Sequence, residues 1–232
     1  MALVKYGNGI IQMSGSIAGN TYGRNRYGNY SRARTKPVNP NSAQQQAVRA
    51  AVSDAVSRWA ATLTAAQRTA WNLYADSVSM LNRLGESVNL SGFNHYVRSN
   101  SLLIRDGKTP VDAGPTTFTL PEADGNFAVT ISEATQLISV AFDDTKAWCD
   151  LDDAFMFVFM GSPQNAQRNF FAGPWRLADS IDGDSVSPPS SPQTMACPFV
   201  ATEGQHIWCY ARIVLPDGRV STVFRDDTFC AA

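Results

Sequence analysis

His206-Ile207-Trp208-Cys209-Tyr210-Ala211-Arg212-Ile213-Val214, then Pro216-Asp217-Gly218, then Val220-Ser221-Thr222-Val223-Phe224 are two runs of β-branched and aromatic residues with a turn triplet between them. That pattern reads as two strands joined by a hairpin turn. Upstream, Phe155-Met156-Phe157-Val158-Phe159, Leu137-Ile138-Ser139-Val140-Ala141-Phe142 and Phe127-Ala128-Val129-Thr130-Ile131 have the same character, and weaker strands are expected near 175–181 and 194–198. About seven strands in this length is the number found in an immunoglobulin-like or fibronectin-like β-sandwich. Residues 115–232 are therefore expected to form such a sandwich domain, with Ser185-Val186-Ser187-Pro188-Pro189-Ser190-Ser191-Pro192 as a solvated loop at one end.

Before Thr116 the period is helical. Pro37-Val38-Asn39-Pro40 stops the preceding segment, and Asn41 or Ser42 caps a first helix whose apolar residues are Val48, Val52, Ala55, Val56, Trp59 and Leu63. Thr64-Ala65-Ala66-Gln67 has the form of a capping box and opens a second helix, with Trp71, Tyr74, Ala75, Val78 and Leu81 facing inward. Ser91 caps a third, burying Phe93, Tyr96, Val97 and Leu103 and ending near Gly107. Residues 41–110 thus read as a three-helix unit, in which Trp59 and Trp71 flank the Leu63-Thr64 corner as core side chains. The expected class is α+β.

Residues 1–40 differ from both units. The first fifty-three residues hold seven Lys or Arg and no Asp or Glu. Gly19-Asn20-Thr21-Tyr22-Gly23-Arg24-Asn25-Arg26-Tyr27-Gly28-Asn29-Tyr30 has too few aliphatic side chains to offset the entropy of ordering it alone. An extended basic assembly arm is expected, ordered against a partner, with Tyr22, Arg24, Arg26, Tyr27, Tyr30, Arg32 and Arg34 as its contacts. Ile10-Ile11-Gln12-Met13-Ser14-Gly15 is a candidate strand for addition to a partner's sheet edge.

Charge is strongly polarised along the chain. Up to Pro110 thirteen Lys or Arg face four Asp or Glu, and beyond it six face sixteen, so the two parts carry about +9 and −10. Such a chain can pair head to tail with copies of itself or place its basic part on nucleic acid. No apolar run is long enough for a membrane span, and no secretory signal is expected after Met1-Ala2-Leu3-Val4-Lys5. Cys149, Cys197, Cys209 and Cys230 contain no CxxC pair and read as reduced core thiols.

Catalytic chemistry has little to draw on. The two histidines, His95 and His206, supply few ligands, and on a strand His206 and Cys209 point to opposite faces, so they do not ligate one metal jointly. No Walker, Rossmann, Gly-x-Ser-x-Gly or His-Glu-x-x-His pattern occurs. The expectation is no enzyme, no cofactor, no metal and no small-molecule substrate. The Asp143, Asp144, Asp150, Asp152, Asp153 and Asp179, Asp182, Asp184 clusters lack EF-hand spacing and read as solvated loops. Trp59-x3-Leu63-Thr64-x3-Arg68-x2-Trp71 resembles the Trp corner of HMG-box proteins, but departs by one residue before the Leu and lacks the box's aromatic wedge. Trp175 and Trp208 are core candidates or, if exposed, a carbohydrate-binding platform.

Met13-Ser14-Gly15-Ser16-Ile17-Ala18-Gly19-Asn20-Thr21-Tyr22, Arg32-Ala33-Arg34-Thr35-Lys36-Pro37-Val38-Asn39-Pro40, Gln46-x2-Arg49, the Trp59 to Trp71 motif and Leu90-Ser91-Gly92-Phe93 together resemble a family of uncharacterised proteins from phages and prophages. The similarity extends through Asp152-Asp153-Ala154-Phe155-Met156, through Gly173 to Arg176, and to Asp217-Gly218-Arg219-Val220-Ser221. The resemblance implies a virion structural protein, made in the host cytoplasm and carried in the particle. Its partners would be other virion proteins and copies of itself, with weak nucleic-acid contact beside them. Head decoration or cement is the first placement, a tail or neck component the second, and a DNA-binding or packaging-associated protein the competing class.

Overall fold

A computed structural model describes residues 2–7, 9–36, 38–82 and 84–232. Its element order is four short strands, three helices with a small hairpin before the third, and seven further strands. The class is mixed α+β. Pro37, expected as part of the stop before the first helix, lies outside the described residues.

All three helices start at the capping residues expected. In α1 (Ala43–Ser57) the Ser42 hydroxyl accepts from the Gln45 amide. In α2 (Ala65–Ser77) Thr64 and Gln67 close a complete capping box, Gln67 N donating to Thr64 Oγ1 at 3.3 Å and Thr64 N to Gln67 Oε1 at 2.8 Å. In α3 (Gly92–Arg105) Ser91 Oγ accepts from Asn94 N. Each cap satisfies an amide that the first turn leaves without an intrahelical acceptor. Between α1 and α2 the chain widens into a π-helical turn, Arg58–Thr62. Trp59, on that turn, meets Phe93 and Tyr96, while Trp71 meets Tyr74 and the same Tyr96. The two tryptophans lock the helices through a shared tyrosine.

The inward stripes differ from expectation at two places. Val48, Val52 and Val56 are 40%, 38% and 39% exposed, and the residues of α1 that are buried are Ala51 and Ala55. Small side chains let α1 lie close on α3, which turns the valine row outward. Leu81 is 72% exposed because the backbone becomes extended at Val78 and enters a hairpin of β5 (Ser79–Leu81) and β6 (Ser87–Asn89).

The last seven strands form two antiparallel sheets. One has the order β11-β8-β7 and the other β10-β9-β12-β13, where β7 is Ala128–Ser132, β8 Leu137–Ala141, β9 Phe155–Gly161, β10 Trp175–Asp182, β11 Gln193–Ala196, β12 His206–Val214 and β13 Phe224–Phe229. Val129, Ile131, Ile138, Val140 and Met195 from the first sheet share a core with Met156, Val158, Met160, Ile207, Cys209, Ala211 and Ile213 from the second. The other face of β9 is buried too: Phe155, Phe157 and Phe159 pack with Leu103 of α3, Val214 and Val220. Alternation along one strand therefore serves two cores, one between the sheets and one against the helices.

The β12 hairpin is shifted relative to expectation. Val220 pairs with Val214, but regular pairing resumes only at Phe224, opposite Ala211, and runs to Phe229 opposite His206. Ser221 Oγ takes the Ile213 amide at 2.9 Å, so a side chain interrupts the ladder and leaves a bulge. The polar run Arg225-Asp226-Asp227-Thr228 is a true strand, tied to β7 by the Val129 amide, which donates to Asp226 Oδ2 at 2.8 Å.

The helical and two-sheet units meet through specific polar contacts as well as apolar ones. Arg98 of α3 donates to the carbonyls of Val220 and Ser221 at 3.0 and 2.6 Å. Gly218, at φ +85°, turns the hairpin onto the Trp71 ring, where an added Cβ would sit 2.9 Å from the ring edge. The connecting Val111-Asp112 segment is held by Asn100, whose Oδ1 and Nδ2 bond Val111 N and O. Asp112 accepts from Arg58 and Tyr96, and its carbonyl accepts from Trp71 Nε1.

Candidate assembly surface of the N-terminal sheet

The segment expected to be an extended arm folds back on itself. β1 (Ala2–Leu3), β2 (Gly15–Ile17), β3 (Asn20–Asn25) and β4 (Gly28–Ala33) make an antiparallel sheet in the order β1-β4-β3-β2. Glycines at the turn and the β-branched Thr21, with polar side chains that lose little by staying wet, favour a hairpin over a straight arm. Gly23 makes room for its neighbour across the ladder. Tyr30, directly opposite, lays its ring over Gly23, and a Cβ there would stand 2.8 Å from the Tyr30 hydroxyl. Ile10-Ile11, expected to be strand, lies outside β2, and both isoleucines are exposed.

The seven contact candidates fall in four places. Strand alternation puts Tyr22 and Arg24 on one face of β3, and cross-strand register puts Tyr30 and Arg32 of β4 on the other. Arg26 and Tyr27 occupy the β3–β4 turn, and Arg34 follows β4, its amide on the Gly19 carbonyl at 2.8 Å. They do not form one patch. Among the described residues two polar side-chain contacts tie the sheet to the body: Asn94 Nδ2 donates to the Tyr27 hydroxyl at 2.6 Å, and Lys5 pairs with Glu86, which lowers the Glu86 carboxyl below its ordinary range. Between them a cavity of ≈ 360 Å³ is bounded by Val4, Tyr6, Ile10, Ile11 and Leu84.

Among the described residues, none before Ala51 is buried. A four-stranded sheet without a fully buried residue, half-buried only at Leu3 and over parts of β3 and β4, has no core of its own. The valine row of α1 is exposed as well.

Both histidines and three of the four cysteines are buried. His206 is 8% exposed, with Nδ1 on the Arg168 carbonyl at 3.0 Å and Nε2 on Asp227 at 2.6 Å, while Cys209 faces the inter-sheet core. The opposite-face reading of that pair holds. His95 is buried against Tyr74, and desolvation lowers its pKa to about 4, which keeps the ring neutral. The four cysteines are free, and burial pushes the Cys149 thiol up to about 12. Asp152 and Asp184 cap backbone amides at 185–187, and among the described residues no three metal-ligating side chains are placed to hold an ion. Trp175 and Trp208 are half-buried in an aromatic cluster with Phe171 and Tyr210. Among the described residues no helix is long and apolar enough to cross a membrane. No family model, no curated protein and no solved structure matches this chain.

Proposed function

We propose that this protein is a non-enzymatic structural component of a bacteriophage particle. It docks by its N-terminal segment and helical face onto neighbouring capsid subunits, as head decoration or cement, with its two-sheet unit projecting outward. The observation that carries the reading is the N-terminal sheet without a buried residue. Such a sheet gains its missing core when another surface covers it, which is how an assembly element stays soluble before assembly and ordered after it. The outward Val48, Val52 and Val56 row supplies an adjoining apolar ridge.

We further infer that the two-sheet unit is an immunoglobulin-like or fibronectin-like sandwich. Its first, second and fifth strands share one sheet and its third, fourth, sixth and seventh the other, a Greek-key distribution of that kind. A nucleic-acid role is less well supported, because Arg24 and Arg32 lie on opposite faces and give no single basic track for a phosphate backbone.

Deleting residues 1–36 tests the proposal. The truncated protein is expected to keep a cooperative thermal transition and to be absent from purified particles assembled in its presence. Undiminished incorporation of a folded truncation would overturn the reading.

A further inference from the structure

Between the first turn of α1 and the start of β10 lies a cleft of ≈ 390 Å³ whose lining includes Arg49, Arg105 and Arg176, with Val48, Trp175 and Phe199 as apolar wall. Every charged residue lining it is an arginine. Among the described residues none of the three makes an ion pair. Their hydrogen bonds go to neutral acceptors: Arg49 to Asn39 Oδ1 at 2.8 Å, Arg105 to Gln44 Oε1 at 3.4 Å, Arg176 to the Pro198 carbonyl at 2.9 Å. Arg176 lies over the Phe199 ring at 4.1 Å and Arg105 over Phe159 at 5.8 Å, stacking that holds a guanidinium plane while leaving its edge free for a carboxylate. The first turn of α1 has no acidic residue, so its partial positive charge adds to theirs. Burial depresses the Arg105 pKa, outweighing the opposing charge of Asp106 beside it.

The complementary charge stands at the other end of the same strand. Asp179 and Asp182, with Asp152, Asp153 and Asp184, are exposed around a second open cavity. Lys108 engages Asp182, and Asp179 makes no ion pair among the described residues. Trp175 and Asp182, the ends of β10, are roughly 20 Å apart at strand spacing, so one molecule cannot bring Asp182 into its own cleft, whereas Asp179 stands mid-strand, three residues from Arg176. We propose that the arginine cleft receives the acidic β10 end of a second copy of this chain in a head-to-tail contact. The cleft admits one or two side chains rather than a duplex, and the two charged ends are different surfaces. The contact is therefore heterologous and propagates as a ring or filament. It rests on the assembly reading above but uses a different surface from the N-terminal sheet.

The test is the solution mass of the full-length protein by sedimentation velocity, at low and high salt. Wild type is compared with Arg49→Glu/Arg176→Glu, with Asp182→Lys, and with the two variants mixed; circular dichroism checks that each is folded. The expected result is salt-sensitive association that weakens about tenfold or more in each folded variant and returns on mixing, because opposite ends are then complementary again. A monomeric wild type, or association that both folded variants retain, would overturn the inference. So would wild-type binding to a fluorescein-labelled oligonucleotide that the arginine variant loses while self-association is unchanged. The N-terminal segment is intact in every protein compared, so failure here leaves the truncation result standing, and failure there leaves this one.

Discussion

At the residue scale, the polar groups that matter most are those buried between elements. His95 is 2% exposed, and its Nε2 has no hydrogen-bond partner. Its folded pKa of about 4 lies below the ordinary value of 6.5. The unfolded chain therefore takes up the proton first as pH falls, and stability drops between pH 6.5 and about pH 4, by something on the order of 3 kcal/mol. Thermal melts at pH 7 and pH 4.5 should show a smaller acid loss for His95→Leu than for wild type; an equal loss would assign the effect to carboxylates instead. Asp112 ties Arg58, Tyr96 and Trp71 to the connecting segment, so Asp112→Ala strands a cation and a buried hydroxyl. A loss of about 3 kcal/mol in urea unfolding is expected, with Asp112→Asn intermediate.

At the element scale, helix starts were readable and helix faces less so. Thr64 and Gln67 bond each other's backbone locally, and no distant residue is needed to complete that box. Thr64→Ala should cost about 1 kcal/mol in the same urea measurement. The inward face of α1 depended on what lay opposite: alanines suited the close approach to α3, and the valines one residue over were left outside. The polar strand β13 was missed because Asp226 and Asp227 look like loop, whereas Asp226 accepts a β7 amide and Asp227 meets His206. Leu103 is 1% exposed against the β9 phenylalanines, and Leu103→Ala should destabilise by about 2–5 kcal/mol. If the two units fold together, that variant will lower a single transition shared by near-UV and far-UV signals. Two resolved transitions would mean that the helices and sheets unfold separately.

At the scale of the whole molecule, polarity of charge is the property that sequence and structure share. The basic first part and acidic second part of the chain become, in the fold, a sparsely packed sheet carrying arginines and a tightly packed two-sheet unit carrying carboxylates. The seven basic and aromatic residues expected as contacts were picked out by composition, but their division over two faces, a turn and the chain after β4 follows from register, which a one-residue slip would invert. The arginine cleft had no sequence signal at all. Arg49, Arg105 and Arg176 come from α1, the end of α3 and β10, and only packing brings them together.

What the sequence alone determined was whatever depends on neighbours along the chain: the three caps, the strand-rich second part, the turn at Asp217-Gly218 and the scarcity of aliphatic side chains between Gly19 and Tyr30. Hydrogen bonds to the next turn and the period of side chains are local properties, so they survive without knowledge of the fold. What the tertiary structure decided was which of two apolar rows faces inward, that β9 is buried on both sides, and that the N-terminal residues form a sheet. Those outcomes depend on which surface each element meets, and that is set by contacts between residues far apart in the chain.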